Sequence, residues 1–110
     1  MGVSSMDRQV VSPKELTNYE FLDAVQKRID KPQKWCKDQN RSPSGRMCTN
    51  GALMAEFPHS TVADRRRFRD ILLGDNTWGS VPEFNDHYET THKVLMAKFE
   101  EAKARTRQVH

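Results

Sequence analysis

The chain has 110 residues, 35% of them hydrophobic and 30% charged, with a formal net charge of +3. That length fits one domain with a modest core, no apolar run is long enough to span a bilayer, and residues 1–14 lack the apolar stretch of a secretory signal, so a cytoplasmic protein is expected. The mild basicity permits a nucleic-acid partner without demanding one.

Residues 1–14 are polar and read as a flexible lead-in, 15–106 as a single helical domain and 107–110 as a tail. Thr17-Asn18-Tyr19-Glu20 fits a capping box, and Leu22, Val25 and Ile29 recur at helical spacing, which predicts a first helix from about Asn18 to Asp30, ended by Pro32. Trp35 follows as an anchor on the core, and residues 37–46 are turn-formers and polar groups, hence a loop. Cys48 to Ala55 is the one compact run of small and apolar residues. Gly51-Ala52-Leu53 therefore reads as the start of a central, tightly packed helix, reaching Phe57 and capped by Thr49 or Asn50. Thr61-x-x-Asp64 opens a third helix with Phe68, Ile71 and Leu72 inward and Gly74 as its C-terminal cap. Residues 75–86 are expected to be a loop whose Trp78, Val81 and Phe84 fold back over the core. A last helix begins between Asp86 and Thr91, carries Tyr88, Leu95, Phe99 and Ala102 on one stripe, gains support from Glu89–Lys93 and Glu101–Arg105 pairs, and frays by Thr106. The fold class is all-α: one compact domain of about four helices with long polar loops.

Trp35-Cys36, then Cys48-x-x-Gly51-Ala52-Leu53, then Val81-Pro82-x-Phe84-Asn85-Asp86, then Thr91-His92-x-Val94-Leu95 resemble, in order and spacing, a domain-of-unknown-function family of small bacterial and phage proteins. The likeness spans roughly residues 20–104. It departs at Phe84, where the family more often has Trp, and over 57–73, which is less alanine-rich. The resemblance implies a helical fold and a phage or prophage setting, and it transfers no catalytic residue.

A zinc site would need four ligands, such as Cys36, Cys48, His59 and one of His87 or His92. The close-spaced Cys-x-x-Cys pair is absent, so the thiols read as reduced structural groups near Trp35, with no metal or cofactor. Cys48 at a helix start, where its pKa would fall, with His87 or His92 as base, is the corresponding enzymatic reading. Arg65, Arg66 and Arg69 share one helix flank, with Arg67 pointing elsewhere; Asp64 and Asp70 offset part of the charge, and Arg66 and Asp70 stand at i,i+4. That flank is read as a solvated face. Its alternative is a phosphate-contacting edge extended by Lys98, Lys103, Arg105 and Arg107. Trp35, Trp78, Phe84, Asn85, Asp86 and Tyr88 are the candidate pocket for a protein or small-molecule partner, while for Asn85 and Asp86 the ordinary reading is a cap on the last helix. The resulting expectation is a small non-enzymatic binding or regulatory protein. A nucleic-acid-binding module is the alternative, and a cysteine- or metal-dependent enzyme comes third. The sequence names no partner and sets no oligomeric state.

Overall fold

A computed structural model describes residues 12–74 and 78–107. Among these residues five α-helices follow one another: α1 (Asn18–Gln26), α2 (Thr49–Glu56), α3 (Val62–Leu73), α4 (Val81–Asp86) and α5 (His92–Arg107), with 3-10 turns at Pro13–Glu15 and Pro32–Lys34. Among the described residues there is no strand, only isolated bridges from Trp35 and Arg41 to Met47. The all-α expectation stands. The lead-in expected over 1–14 and the tail over 107–110 lie outside the described residues except at their inner ends: Pro13 is buried in the first turn, and Arg107 closes α5.

Local chemistry sets most helix ends. Thr17 Oγ1 accepts from Glu20 N at 3.1 Å while the Glu20 carboxylate accepts from Thr17 N at 2.9 Å, and Thr61 with Asp64 repeats the pattern on α3. These reciprocal bonds satisfy first-turn amides that have no partner inside the helix. Gly74 ends α3 in the left-handed conformation, φ 76°. Thr91 Oγ1 accepts from Val94 N, which fixes the start of α5 at His92.

Three boundaries differ from expectation. α1 stops at Gln26 rather than Asp30, because the chain tightens there: Arg28 N bonds to Val25 O and Ile29 N to Gln26 O, three residues back. Ile29 is still fully buried, so its apolar spacing was real although the helix had ended. The cap of α2 is neither Thr49 nor Asn50 but the Cys48 thiol, which accepts from Gly51 N at 3.2 Å. The expected 75–86 loop contains α4. Ser80 Oγ accepts from Glu83 N, Pro82 sits in the first turn, and the Glu83 carboxylate accepts from Gly79 N at 2.7 Å. Residues 75–77 lie outside the described residues.

The core is organised by α1 rather than α2. α1 packs on α5, α2 and α3, whereas α2 touches α1 and α4. Phe21 of α1 meets Phe57 edge-on (centroids 5.3 Å, 90°) and Phe68 at 5.3 Å, and Phe68 continues to Phe99 at 6.2 Å. This chain of rings ties α1, the end of α2, α3 and α5 into one apolar unit, and such pairs add about 0.5–1.5 kcal/mol beyond burial. Leu22, Val25, Leu53, Leu72 and Leu95 fill the space around it. Leu73, rather than Ile71, completes the buried face of α3. Tyr88 does not join the α5 stripe; it precedes the helix and is 83% exposed. Glu89 also precedes α5, so its expected helical pair with Lys93 has no helix to form on, whereas Arg105 does pair with Glu101 at 3.0 Å.

Arg67 leaves the flank of the other arginines. It donates to Pro13 O (2.7 Å), Leu16 O (2.8 Å) and Asn18 Oδ1, with its guanidinium 5.0 Å from the Phe21 ring centroid. One side chain thus pins the segment entering α1 onto α3.

Candidate functional site

Asn85, expected to line a pocket or cap the last helix, sits inside α4 with no solvent exposure. Its Oδ1 accepts from Trp35 Nε1 (2.7 Å), Thr49 N (3.0 Å) and Thr49 Oγ1 (2.7 Å); its Nδ2 donates to Cys36 O (3.2 Å) and Asp86 Oδ1 (2.8 Å). Asp86 Oδ1 also accepts from Asp38 N at 2.8 Å. Asp38 has a positive φ of 68°, which this bond helps hold in place. The amide is therefore saturated, as a buried amide must be. It fastens α4 to the start of α2 and to the 35–38 segment.

The neighbouring motif residues do similar work. His92 Nε2 lies 2.8 Å from Ile29 O, a contact that requires the Nε2–H tautomer, and its ring stands 5.9 Å from Trp35. Gly51 is pressed against the Asn40 backbone: a Cβ there would lie 2.0 Å from Asn40 O. Trp35, Gly51, Asn85, Asp86 and His92, all within the motifs that carry the family resemblance, are thus engaged in building the fold.

Both cysteines are free. Burial pushes the Cys48 thiol up, outweighing the Gly51 N–H bond that acts the other way, and burial also raises Cys36. The lowered pKa that a nucleophile at a helix start needs is therefore not present, because desolvation exceeds the helix effect. Among the described residues no group of three or more His, Cys, Asp or Glu side chains is arranged to hold a metal.

The rest of the candidate pocket, joined by His87, forms a run of ring contacts around α4: Phe84 to Trp78 at 5.4 Å and Trp78 to His87 at 4.8 Å, both edge-on, and His87 to Tyr88, tilted, at 4.6 Å. Phe84 is buried and Trp78 partly so, while Tyr88 ends the run in solvent. Trp35 and Asp86 belong with Asn85 on the hydrogen-bonded side.

What the hub at Asn85 creates is a concave face elsewhere. By holding α4 against α2, it completes with α3 a groove of about 250 Å³. Leu53, Val62, Val81 and Pro82 form the floor, and Arg65, Arg66 and Arg69 the rim. Val62 is 63% exposed, and Met54, whose sulfur accepts from Asn50 at the groove edge, is 44% exposed. Arg65 donates to Ser60 O at 2.9 Å. Arg69 donates to Trp78 O, to Gly79 O and to Asp70, and so draws the segment before α4 onto α3. Asp70 pairs with Arg69 rather than with Arg66, whose exposed guanidinium makes no hydrogen bond or ion pair with the other described residues. The sequence brought out the arginines but not the floor, because the floor residues come from three separate helices. An exposed valine directly after a helix cap was the one local sign.

A larger concavity of about 620 Å³ lies between α1, α3 and α5. Its cations are engaged within the fold: Arg105 holds the carbonyls of Ile71 and Leu72, and Arg107 the Tyr19 hydroxyl at 2.6 Å. Lys103 is buried on Asp23 at 2.7 Å, and Lys98 pairs with Glu101.

Fold and face together define a small helical domain whose exposed concavity is apolar below and cationic at its edge. The chain belongs to a family of unknown function, DUF6197, whose model matches residues 13–105. No curated protein and no solved structure matches it. No helix among the described residues is long and apolar enough to cross a membrane.

Proposed function

We propose that the chain is a small binding or regulatory protein that engages one partner through the face formed by α2, α3 and α4. The observation that carries this is an exposed aliphatic side chain, Val62, set beside three arginines in a groove whose buried lining residues, Leu53 and Val81, are apolar. Exposed apolar surface edged by polar groups is what interaction sites present. The lining chemistry also favours binding: Ser80 is committed to capping α4, and the remaining lining groups are aliphatic, amide, backbone or guanidinium. The proposed compartment is the cytoplasm, supported by two free thiols held as hydrogen-bonding groups. The proposed phage or prophage setting rests on the resemblance of the motif residues alone.

A photo-crosslinking amino acid at position 62, compared with one at exposed position 97 on α5, tests the reading in the native cells. One discrete adduct is expected from position 62 and none from 97. No adduct at 62, or the same products from both positions, overturns it.

A further inference from the structure

We infer that the occupant of the α2–α3–α4 groove is an acidic segment of another protein that inserts an aliphatic side chain between the arginines. This deepens the binding reading and rests on it. Three observations carry it. First, the volume, about 250 Å³, is below the roughly 300–1,000 Å³ of small-molecule and cofactor pockets, so the groove suits side chains rather than a cofactor. Second, the lining contains three arginines and no carboxylate. Of the acidic groups nearby, Asp64 is buried on Thr61 N and Glu83 accepts from Gly79 N, while Asp70 lies on Arg69 and offsets that one arginine, so Arg65 and Arg66 carry the charge of the mouth. The local field at the mouth is therefore positive, and planar guanidinium groups match carboxylates in bidentate geometry. Third, the floor is aliphatic.

That floor also separates an acidic protein segment from a nucleic acid. A phosphate backbone gains nothing from Leu53, Val62, Val81 and Pro82, and no aromatic ring lines the groove on which a base could stack. Arg69 already directs Nε, Nη1 and Nη2 to groups of the fold, which leaves Arg66 and part of Arg65 to face a ligand. A partner with one or two carboxylates beside a hydrophobic anchor uses every part of the face; a polyanion uses only its edge.

The test pans a displayed library of random dodecapeptides against the full chain. Selected peptides are then measured by fluorescence anisotropy against the parent, Arg66→Glu and Val62→Asp, each checked for parental helical circular dichroism. Expected are peptides enriched in Asp and Glu around Leu, Ile, Val or Met, with affinity lowered about tenfold or more by either substitution. A peptide with its acidic residues changed to Lys should regain affinity for Arg66→Glu. Peptides that lose binding to Val62→Asp but lack acidic residues, or ignore Arg66→Glu, overturn the acidic-segment inference and leave the binding face standing. Peptides indifferent to both substitutions, or no selected peptide at all, overturn both. Sub-micromolar binding of a single-stranded or duplex DNA 20-mer at physiological salt, lost in Arg66→Glu, replaces the acidic segment with a nucleic acid.

Discussion

Replacing Gly51 with alanine pits two effects of opposite sign against each other. Gly51 lies in the first turn of α2, away from any left-handed backbone, so helix propensity alone favours alanine by about 1 kcal/mol. The tertiary structure says the reverse. A Cβ at this position would stand 2.0 Å from Asn40 O, 2.9 Å from Asn40 C and 3.2 Å from Asn40 Cα. Those are backbone atoms, so no side chain can swing aside, and either α2 or the 37–46 loop must move. Movement of the loop also weakens the bond from Cys48 N to Asn40 O, 3.3 Å long. Overpacking costs about 1–3 kcal/mol, a lost hydrogen bond adds about 1, and the propensity gain returns about 1, for a net loss of about 1–3 kcal/mol. For a domain of this size that is a fall in Tm of roughly 4–24 °C. Differential scanning calorimetry of the parent and Gly51→Ala measures it, with Gly45→Ala as a comparison, since a Cβ at Gly45 meets nothing within 4 Å and only its φ of 89° is strained. A Gly51→Ala protein as stable as the parent, or more stable, would refute the close approach of loop and helix on which the placement of α2 depends.

Asn85→Ala leaves Trp35 Nε1 and both Thr49 donors without their acceptor, and urea denaturation should show a loss of at least about 3 kcal/mol, since each orphaned buried group costs about 1–3 kcal/mol. Cys48→Ser replaces the capping sulfur with a hydroxyl oxygen and should stay near parental stability, whereas Cys48→Ala should lose about 1 kcal/mol in the same assay. Because burial raises its pKa, Cys48 should also react slowly with iodoacetamide at neutral pH compared with a free thiol, followed by mass spectrometry. The Lys103 hydrogen bond, ahead of that from Lys27, holds the Asp23 carboxyl below its ordinary value. Its contribution is therefore present above the unfolded pKa of about 3.9 and lost as pH falls through the lower folded pKa. The stability gap between the parent and Asp23→Asn should be widest near neutrality and close below about pH 4; a gap that widens on acidification contradicts the pairing.

The local rules of helix formation were legible in the sequence because their partners lie within one turn. Thr17 with Glu20 and Thr61 with Asp64 are three residues apart, Gly74 needs only its own φ, and the apolar spacing of Leu22, Val25 and Ile29 marks buried positions even where the helix has stopped. The same rule holds at Ser80-Val81-Pro82-Glu83, where the Ser80 cap and Pro82 in the first turn mark α4 although Gly79 and the large apolar side chains around it suggest a loop. The role of Asn85 was out of reach, since its partners stand 36, 49 and 50 residues away, and an asparagine beside an aspartate reads locally as a cap. Arg67 is alike: within its own helix it is one of four clustered arginines, and only the packing of α3 against the segment entering α1 turns it into an anchor. The groove is the extreme case, because no single helix contains it. Its floor comes from α2, α3 and α4, and its mouth stays positive because Asp64 is turned onto Thr61 N and Asp70 offsets Arg69 alone, which leaves Arg65 and Arg66 without an ion-pair partner among the described residues. Composition and periodicity determine which residues form helices and which faces those helices bury; the direction of each charged side chain depends on distant backbone donors and acceptors, and only the assembled fold brings those within reach.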